Sequence, residues 1–230
     1  MTHRLKKAIL HIIGFIVIAL GIANILTSKL GASPIDAFNY FLFNIVVEII
    51  PVVKIGSVII FTVTIGSVII FTGLVVTLLA FLFNKDKDMV ISAVFLIIVG
   101  VFVDMWLFLL GFVPAQVTSL VVIRILMASV GMLLCAFGVA ITILTGFPAS
   151  PYERLMLVIH KRINNLSLSK IIVEGSFFVL AVILGLLTQR LFEQVHIFTV
   201  VMTFMMGILV SMFTHIIRKK FIKGDLKYGT

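Results

Sequence analysis

Six long apolar segments constrain this chain more than any other feature. They lie at about residues 8–27, 56–83, 89–112, 119–145, 169–188 and 197–217. A helix of about 20 apolar residues crosses the hydrocarbon core of a bilayer, so each segment is long enough to span it. Charged residues make up only 12% of the chain, against about 25% in a soluble domain. The sequence therefore predicts an all-α polytopic protein of the lipid bilayer and excludes a soluble globular enzyme.

The positions of the basic residues predict how the chain is oriented. If the N-terminus is cytoplasmic and six segments cross, fourteen of the 18 Lys and Arg residues fall on the cytoplasmic side and Arg124 lies within a span. The others fall outside: Lys29, Lys54 and Arg190. Because Lys and Arg accumulate in cytoplasmic loops, we expect both termini in the cytoplasm. The same balance argues against a crossing at residues 34–50, and residues 151–163 carry too many charges to cross. Each is therefore predicted to form a short re-entrant or interfacial helix.

An internal repeat divides the chain into residues 1–115 and 116–230. A shift of 117 residues superimposes small residues and one motif, and the best shift becomes 107 later in each half. The matched positions are Gly14 with Gly131, Gly21 with Gly138, Ala32-Ser33-Pro34 with Ala149-Ser150-Pro151, Asp36 with Glu153, and Gly100 with Gly207. Three crossings in each half would insert the two halves in opposite orientations, as in many transporters. The sequence therefore predicts a 3+3 inverted repeat.

A local duplication in the first half accounts for the change of shift. The octapeptide at Ile55–Thr62 recurs unchanged at Ile65–Thr72, so residues 55–74 contain a ten-residue tandem duplication. Ten residues occupy about 15 Å of helix. We expect this surplus to tilt the second span, to protrude from the bilayer, or to lengthen the loop before the span.

The repeated motif supplies the first candidate cavity residues, Ser33, Asp36, Ser150 and Glu153. Ser is a good N-cap, Pro is favoured in the first turn, and an acidic residue three positions after the cap completes a capping box. One interpretation is a pair of well-capped helices. The other is a pair of re-entrant helices whose positive N-terminal ends face a polar cavity.

Two acidic residues within the spans are further cavity candidates, because an ionisable group in the bilayer is costly unless it is paired or hydrated. Asp104 and Arg124 lie at similar depths, so the sequence predicts a structural ion pair between them. The alternative is a gating pair or a proton-coupling site. Glu174 either lines a cavity or pairs with Lys170 one turn earlier. His11, in the first span, is interpreted as a hydrogen-bonded helix contact rather than as a proton relay.

Four glycines predict how the first and fourth spans meet. Gly14 and Gly21 are seven residues apart and share a helix face, and so do Gly131 and Gly138. Small residues let membrane helices approach closely, so we expect these faces to pack together.

The sequence carries no metal-ligand, cofactor or catalytic motif. We therefore expect no metal, no cofactor, no enzyme activity and no nucleic-acid partner.

Three blocks of the sequence resemble the YczE/YyaS/YitT family of bacterial integral membrane proteins. They are Leu30-Gly-Ala-Ser-Pro-Ile-Asp36, Gly100-Val-Phe-Val-Asp104 and Ser167-Leu-Ser-Lys-Ile-Ile-Val-Glu174. The first is similar to the LGASPWD-type signature of that family, with Ile35 where Trp is usual. The resemblance covers nearly the whole chain and implies a place in the bacterial cytoplasmic membrane.

Together these features predict a transporter or permease for an unknown small-molecule substrate, with a central polar cavity between two inverted repeats. The alternative is a non-transporting regulator, assembly factor or substrate-capturing subunit of a larger membrane complex. In that case the basic residues at 154–170 and 218–227 would dock a protein partner, a second copy of the chain or anionic lipid on the cytoplasmic face.

Overall fold

The computed structural model describes residues 3–50, 52–55, 58–83, 85, 88–147 and 150–219. Its helices are α1 (His3–Ser28), α2 (Pro34–Ile49), α3 (Ile65–Phe83), α4 (Asp88–Leu110), α5 (Ala115–Thr118), α6 (Val121–Thr145), α7 (Pro151–Ile163), α8 (Leu166–Leu187), α9 (Leu191–Gln194) and α10 (Ile197–Ile217). Ala149 of the second motif, the basic residues after 219, and Gly56 and Ser57 of the duplication lie outside the described residues.

The six predicted spans are confirmed as helices. α1, α3, α4, α6, α8 and α10 are long and apolar enough to cross a membrane. They agree with the apolar segments to within a few residues, except that α3 begins at Ile65. An apolar segment in lipid has no water to bond its backbone, so it must form a helix whose backbone hydrogen bonds are internal. For this reason hydropathy alone located the helices.

The duplicated octapeptide adopts two different conformations. Val58–Thr62 is a strand, β2, that pairs antiparallel with β1 (Val52–Ile55), whereas the identical residues Val68–Thr72 lie in α3. The surplus residues therefore lengthen the connection before the second span, which was one of three expected outcomes. The prediction of an entirely helical chain missed this hairpin. Apart from Lys54, the strand residues are β-branched or aromatic and are well suited to strands. The surroundings therefore decide whether this sequence forms a strand or a helix.

The centre of the fold is the antiparallel contact between α1 and α6. A Cβ added at Gly21 would lie 2.7 Å from the carbonyl oxygen of Gly131, and one at Gly138 would lie 2.6 Å from that of Gly14. Ordinary contacts of a Cβ begin near 3.4 Å. The two backbones are therefore closer than any larger residue would allow, and the four predicted glycines lie at this contact.

The remaining helices surround this pair in a regular pattern. α4 packs on α1 and α10 packs on α6. The short helix α2 contacts α3 and α8, and the short helix α7 contacts the same two spans. The N-terminal turns of α2 and α7 are thereby directed towards the interior of the bundle, where Pro34, Ala37 and Pro151 are buried.

Candidate functional site

A cavity of about 260 Å³ lies among α1, α2, α3, α4, α6 and α7. It is lined by all four residues predicted from the repeated motif, Ser33, Asp36, Ser150 and Glu153. Its walls are otherwise mostly apolar, with further polar groups at His11, Asn39, Ser92, Thr142 and Tyr152. The structure thus brings the two copies of the motif, 117 residues apart in sequence, to one interior space.

The two motifs have nearly the same backbone geometry where they enter the cavity. Ser33 has φ −60° and ψ 154°, and Ser150 has φ −58° and ψ 157°. Each Ser hydroxyl accepts a hydrogen bond from the amide of the acidic residue three positions later, at 3.2 Å from Asp36 and 3.4 Å from Glu153. Both helices are therefore capped as the sequence predicted, and both capped ends line the cavity.

The carboxylates are held differently in the two copies. The Ser33 hydroxyl donates to Asp36 Oδ2 at 2.6 Å, whereas the Ser150 amide donates to Glu153 Oε2 at 3.0 Å and completes a capping box. The longer Glu side chain can fold back to the amide of the cap residue. The shorter Asp side chain reaches only the hydroxyl. Each carboxylate also lies in the first turn of its helix, where the helix dipole favours negative charge.

Burial acts against the charge on both acids. Loss of solvent raises the pKa of Asp36 above its ordinary value, and the hydrogen bond from Ser33 offsets this only in part. Burial likewise raises the pKa of Glu153, against the hydrogen bonds from Ser150 and the positive charges of Lys170 and Arg154. Among the residues described as lining this cavity there is no Lys or Arg. Each acid therefore takes up a proton more readily than an exposed carboxylate and would gain from a cation in the cavity.

A buried hydrogen-bonded group forms one wall. The Thr72 hydroxyl donates to Asn39 Oδ1 at 2.7 Å and lies 3.3 Å from the Tyr152 hydroxyl. Asn39 is 1% exposed. The group connects α2, α3 and α7. The duplicated octapeptide thus supports the site through its last residue, Thr72, which donates to the lining residue Asn39.

His11 lies at the other end of the cavity. Its Nδ1 is 2.6 Å from the hydroxyl of Thr145, and its ring packs edge-on against Phe15 and Phe95 and at a tilt against Phe147. His11 is therefore a hydrogen-bonded contact between α1 and α6, as its sequence position indicated. It also lines the cavity.

A second cavity of about 360 Å³ adjoins the first and shares Ser150, Tyr152 and Glu153 with it. Glu174 and Lys170 line this second cavity. Their side chains lie 3.7 Å apart across one helical turn. Both sequence interpretations of Glu174 therefore apply, because it forms a salt bridge and lines a cavity.

The predicted ion pair between Asp104 and Arg124 is wrong. Asp104 accepts hydrogen bonds from the Thr64 hydroxyl at 2.6 Å and from the Gly66 amide at 2.7 Å, so it caps the N-terminus of α3. Arg124 donates to the backbone carbonyls of Ser28 and Lys29. Within the described chain both residues line neither cavity. Similar depth in the bilayer did not bring them together, because depth does not specify which way a helix faces.

The connection that carries the first motif is held by Gln194 of α9. The Gln194 side chain donates to the carbonyl of Leu26 at 3.0 Å, and its backbone carbonyl accepts from the amide of Ala32 at 2.9 Å. Gly31 has φ +122°, and a Cβ there would lie 2.7 Å from the hydroxyl of Thr199. Only glycine suits this backbone conformation and this close contact. The connection that it allows leads into the N-terminus of α2, where Ser33 and Asp36 line the cavity.

Comparison with known proteins places the chain in a family. Residues 5–215 match the Family of unknown function DUF6198. The chain belongs to this family. Two proteins of Bacillus subtilis (strain 168) are similar to this DUF6198 protein. "Uncharacterized membrane protein YczE" is 27% identical over 65% of the chain and 60% of its own length. "Uncharacterized protein YyaS" is 25% identical over 93% of the chain and 94% of its own length. These matches confirm the resemblance read from the Leu30–Asp36 block, and no solved structure matches.

Several residues of the DUF6198 site were not singled out from the sequence. Asn39 and Tyr152 line the cavity next to the motif residues, and Thr72 joins them. A polar residue one turn after Asp36 on an apolar helix was the available signal for Asn39. Among the described residues, no group of three or more His, Cys, Asp or Glu side chains is placed to hold a metal ion.

Proposed function

We propose that this protein is a transporter or permease that moves a small solute through the cavity where α2 and α7 meet. The observation that carries the proposal is that two copies of one motif, each starting a short capped helix, line a single cavity. Broken helices whose ends meet at a central site are a recurring device of secondary transporters. The proposed role needs no chemical conversion of the solute, so we assign no enzyme activity.

The helix contacts support an inverted repeat of residues 1–115 and 116–230. The counterparts in the two halves are α1 and α6, α2 and α7, α3 and α8, and α4 and α10. When each helix is replaced by its counterpart, most pairs of contacting helices become other pairs that are also in contact. Thus α1 with α4 becomes α6 with α10, and α2 with α8 becomes α7 with α3. The central contact maps onto itself, because Gly14 meets Gly138 and Gly21 meets Gly131. A protein built this way can open to either side by rocking one half against the other.

The charge distribution supports the orientation of the two halves in a bacterial cytoplasmic membrane. With cytoplasmic termini, α2 follows the outer end of α1 and α7 follows the inner end of α6. α7 ends in His160, Lys161 and Arg162, which suits an interfacial position on the inner side. The two helices then enter as re-entrant elements from opposite faces of the membrane.

Access to the cavity from both sides is the property to measure. In a Cys135→Ala background, Ile35→Cys places one thiol in the wall that both cavities share. A membrane-impermeant thiol reagent is added to right-side-out and to inside-out vesicles. We expect labelling of this thiol in both preparations, because a transporter exposes its site to each side in turn.

Two exposed positions are the controls. Ser119→Cys, between α5 and α6, should react from the outside only, and Lys161→Cys, near the end of α7, from the inside only. Labelling of Ile35→Cys from one side alone, with both controls behaving as expected, would contradict transport. It would favour the alternative of a membrane regulator or substrate-capturing subunit with a protein partner.

A further inference from the structure

We propose that the solute held in this cavity is a small monovalent organic cation, with Asp36 and Glu153 as its charge partners. This inference rests on the proposed function only in taking this cavity as the solute site. Three independent features of the cavity lead to it: its charge, its volume and the chemistry of its walls.

The charge of the cavity selects a cation. Helix N-termini that face a transport site commonly attract an anionic group of the substrate. Here each N-terminus already carries its own carboxylate in its first turn, at Asp36 and Glu153. Two carboxylates contribute about −2 and two helix ends about +1 in total, leaving a net charge near −1 when both acids are ionised. Lys170 and Arg154 act on the Glu153 charge from outside the described lining of this cavity, and that lining itself includes no Lys or Arg. A positive charge on the solute is therefore favoured, most strongly at Asp36.

The volume limits the size of the solute. A cavity of about 150 Å³ accommodates benzene, and pockets for drug-sized ligands begin at about 300 Å³. At about 260 Å³, the cavity is suited to a compact solute somewhat larger than benzene. A larger solute would have to extend into the adjoining cavity beyond Glu153, where Lys170 contributes a positive charge.

The walls favour an organic cation over a hydrated inorganic ion. Phe15, Phe147 and Tyr152 present aromatic surface, and aliphatic side chains from α1, α3, α4 and α6 form most of the remainder. A metal cation needs several oxygen ligands in place of its water, and among the described residues no group of three or more His, Cys, Asp or Glu side chains is placed to hold one. An ammonium group with an apolar body can place its charge at the carboxylates and its body against the rings.

Three probes of nearly the same shape test the charge requirement. Benzylamine is a cation, benzyl alcohol is neutral and benzoate is an anion. Binding of each to the purified full-length protein is measured by isothermal titration calorimetry. We expect saturable binding of benzylamine, with affinity at least about tenfold above that of benzyl alcohol, and no binding of benzoate. Equal affinity for benzylamine and benzyl alcohol, or preference for benzoate, would overturn the proposal.

Variants tie the charge requirement to the two acids. Asp36→Asn and Glu153→Gln should each weaken benzylamine binding about tenfold or more. Glu48→Gln is the matched control, because Glu48 is an exposed acid near the end of the same helix as Asp36. If Asp36→Asn does not fold, Glu153→Gln decides, since Gln keeps an acceptor for the Ser150 amide. Unchanged binding in Glu153→Gln would overturn the assignment.

The calorimetry tests the cation site and the thiol labelling tests transport, so either hypothesis can be refuted without the other. Benzylamine binding together with one-sided labelling of Ile35→Cys would remove transport and leave the cation site in place. Two-sided labelling with no discrimination among the three probes would leave transport in place and overturn the cation assignment.

Discussion

Enlarging one glycine at the contact between α1 and α6 should destabilise the fold, although alanine is the better helix former. In Gly138→Ala the new Cβ would lie 2.6 Å from the carbonyl oxygen of Gly14 and 2.7 Å from Cγ1 of Ile18. Ordinary contact begins near 3.4 Å, so the two helices must separate locally by about 0.8 Å. Backbone atoms of a packed helix cannot rotate away as a side chain end can.

The expected size of the effect follows from two opposing contributions. Overpacking of a close contact costs about 1–3 kcal/mol, and replacing Gly by Ala within a helix returns about 0.5–1 kcal/mol. The midpoints of these ranges leave a net loss of about 1 kcal/mol, which corresponds to a fall in Tm of about 2–4 °C for a chain of this length. Thermal unfolding of the purified protein in detergent measures this Tm.

Two other glycines within spans provide matched controls. Added Cβ atoms at Gly175 of α8 and Gly207 of α10 meet nothing within 4 Å. Gly175→Ala and Gly207→Ala should therefore keep the Tm or raise it, because only the gain in helix propensity remains. If Gly138→Ala were as stable as these two controls, the close approach of α1 to α6 would be refuted.

Three further predictions concern the duplication, the cap of α3 and the protonation of the site. Deleting residues 54–63 removes the ten surplus residues and keeps Thr64, which donates to Asp104 at the start of α3. The folded protein and its Tm should be unchanged to within about 3 °C, and loss of the monodisperse peak in size-exclusion chromatography would contradict this. Asp104→Ala leaves the Gly66 amide without its acceptor, so the free energy of unfolding in denaturant should fall by about 1–3 kcal/mol. The affinity for benzylamine should not change, and a loss of affinity would mean that Asp104 belongs to the binding site. Burial raises the pKa of Asp36, so lowering the pH from about 8 to about 5 should protonate this carboxylate. Benzylamine binding in calorimetry should then weaken, and the pH dependence of the affinity should be shallower in Asp36→Asn. An affinity independent of pH would contradict that coupling.

The spans and the caps could be predicted from the sequence because their causes are local. Hydropathy over about 20 residues identifies a span, and the order Ser, Pro, acid identifies a helix start. Both copies of the motif accordingly begin a helix with the Ser as its N-cap. The repeat also indicated that Ser33, Asp36, Ser150 and Glu153 belong together, since matching positions in two halves of a repeat tend to meet near its axis.

The features that were missed depend on tertiary contacts. The sequence Val-Ile-Ile-Phe-Thr is a strand at 58–62 and a helix at 68–72. No local rule distinguishes the copies, but the second begins where Asp104 accepts the Gly66 amide. The error at Asp104 and Arg124 has the same origin. Depth along a helix can be counted from the sequence, whereas the direction in which each side chain points depends on packing.

Uptake of tetramethylammonium by proteoliposomes is the most direct test of the central claim that this cavity conducts a small cation across the membrane. The probe carries a permanent charge and does not cross protein-free liposomes at a comparable rate. We predict saturable uptake that requires the purified protein, is lost in Glu153→Gln and persists in Glu48→Gln. Uptake no faster than in protein-free liposomes, from wild-type protein that binds benzylamine in calorimetry, would contradict the claim.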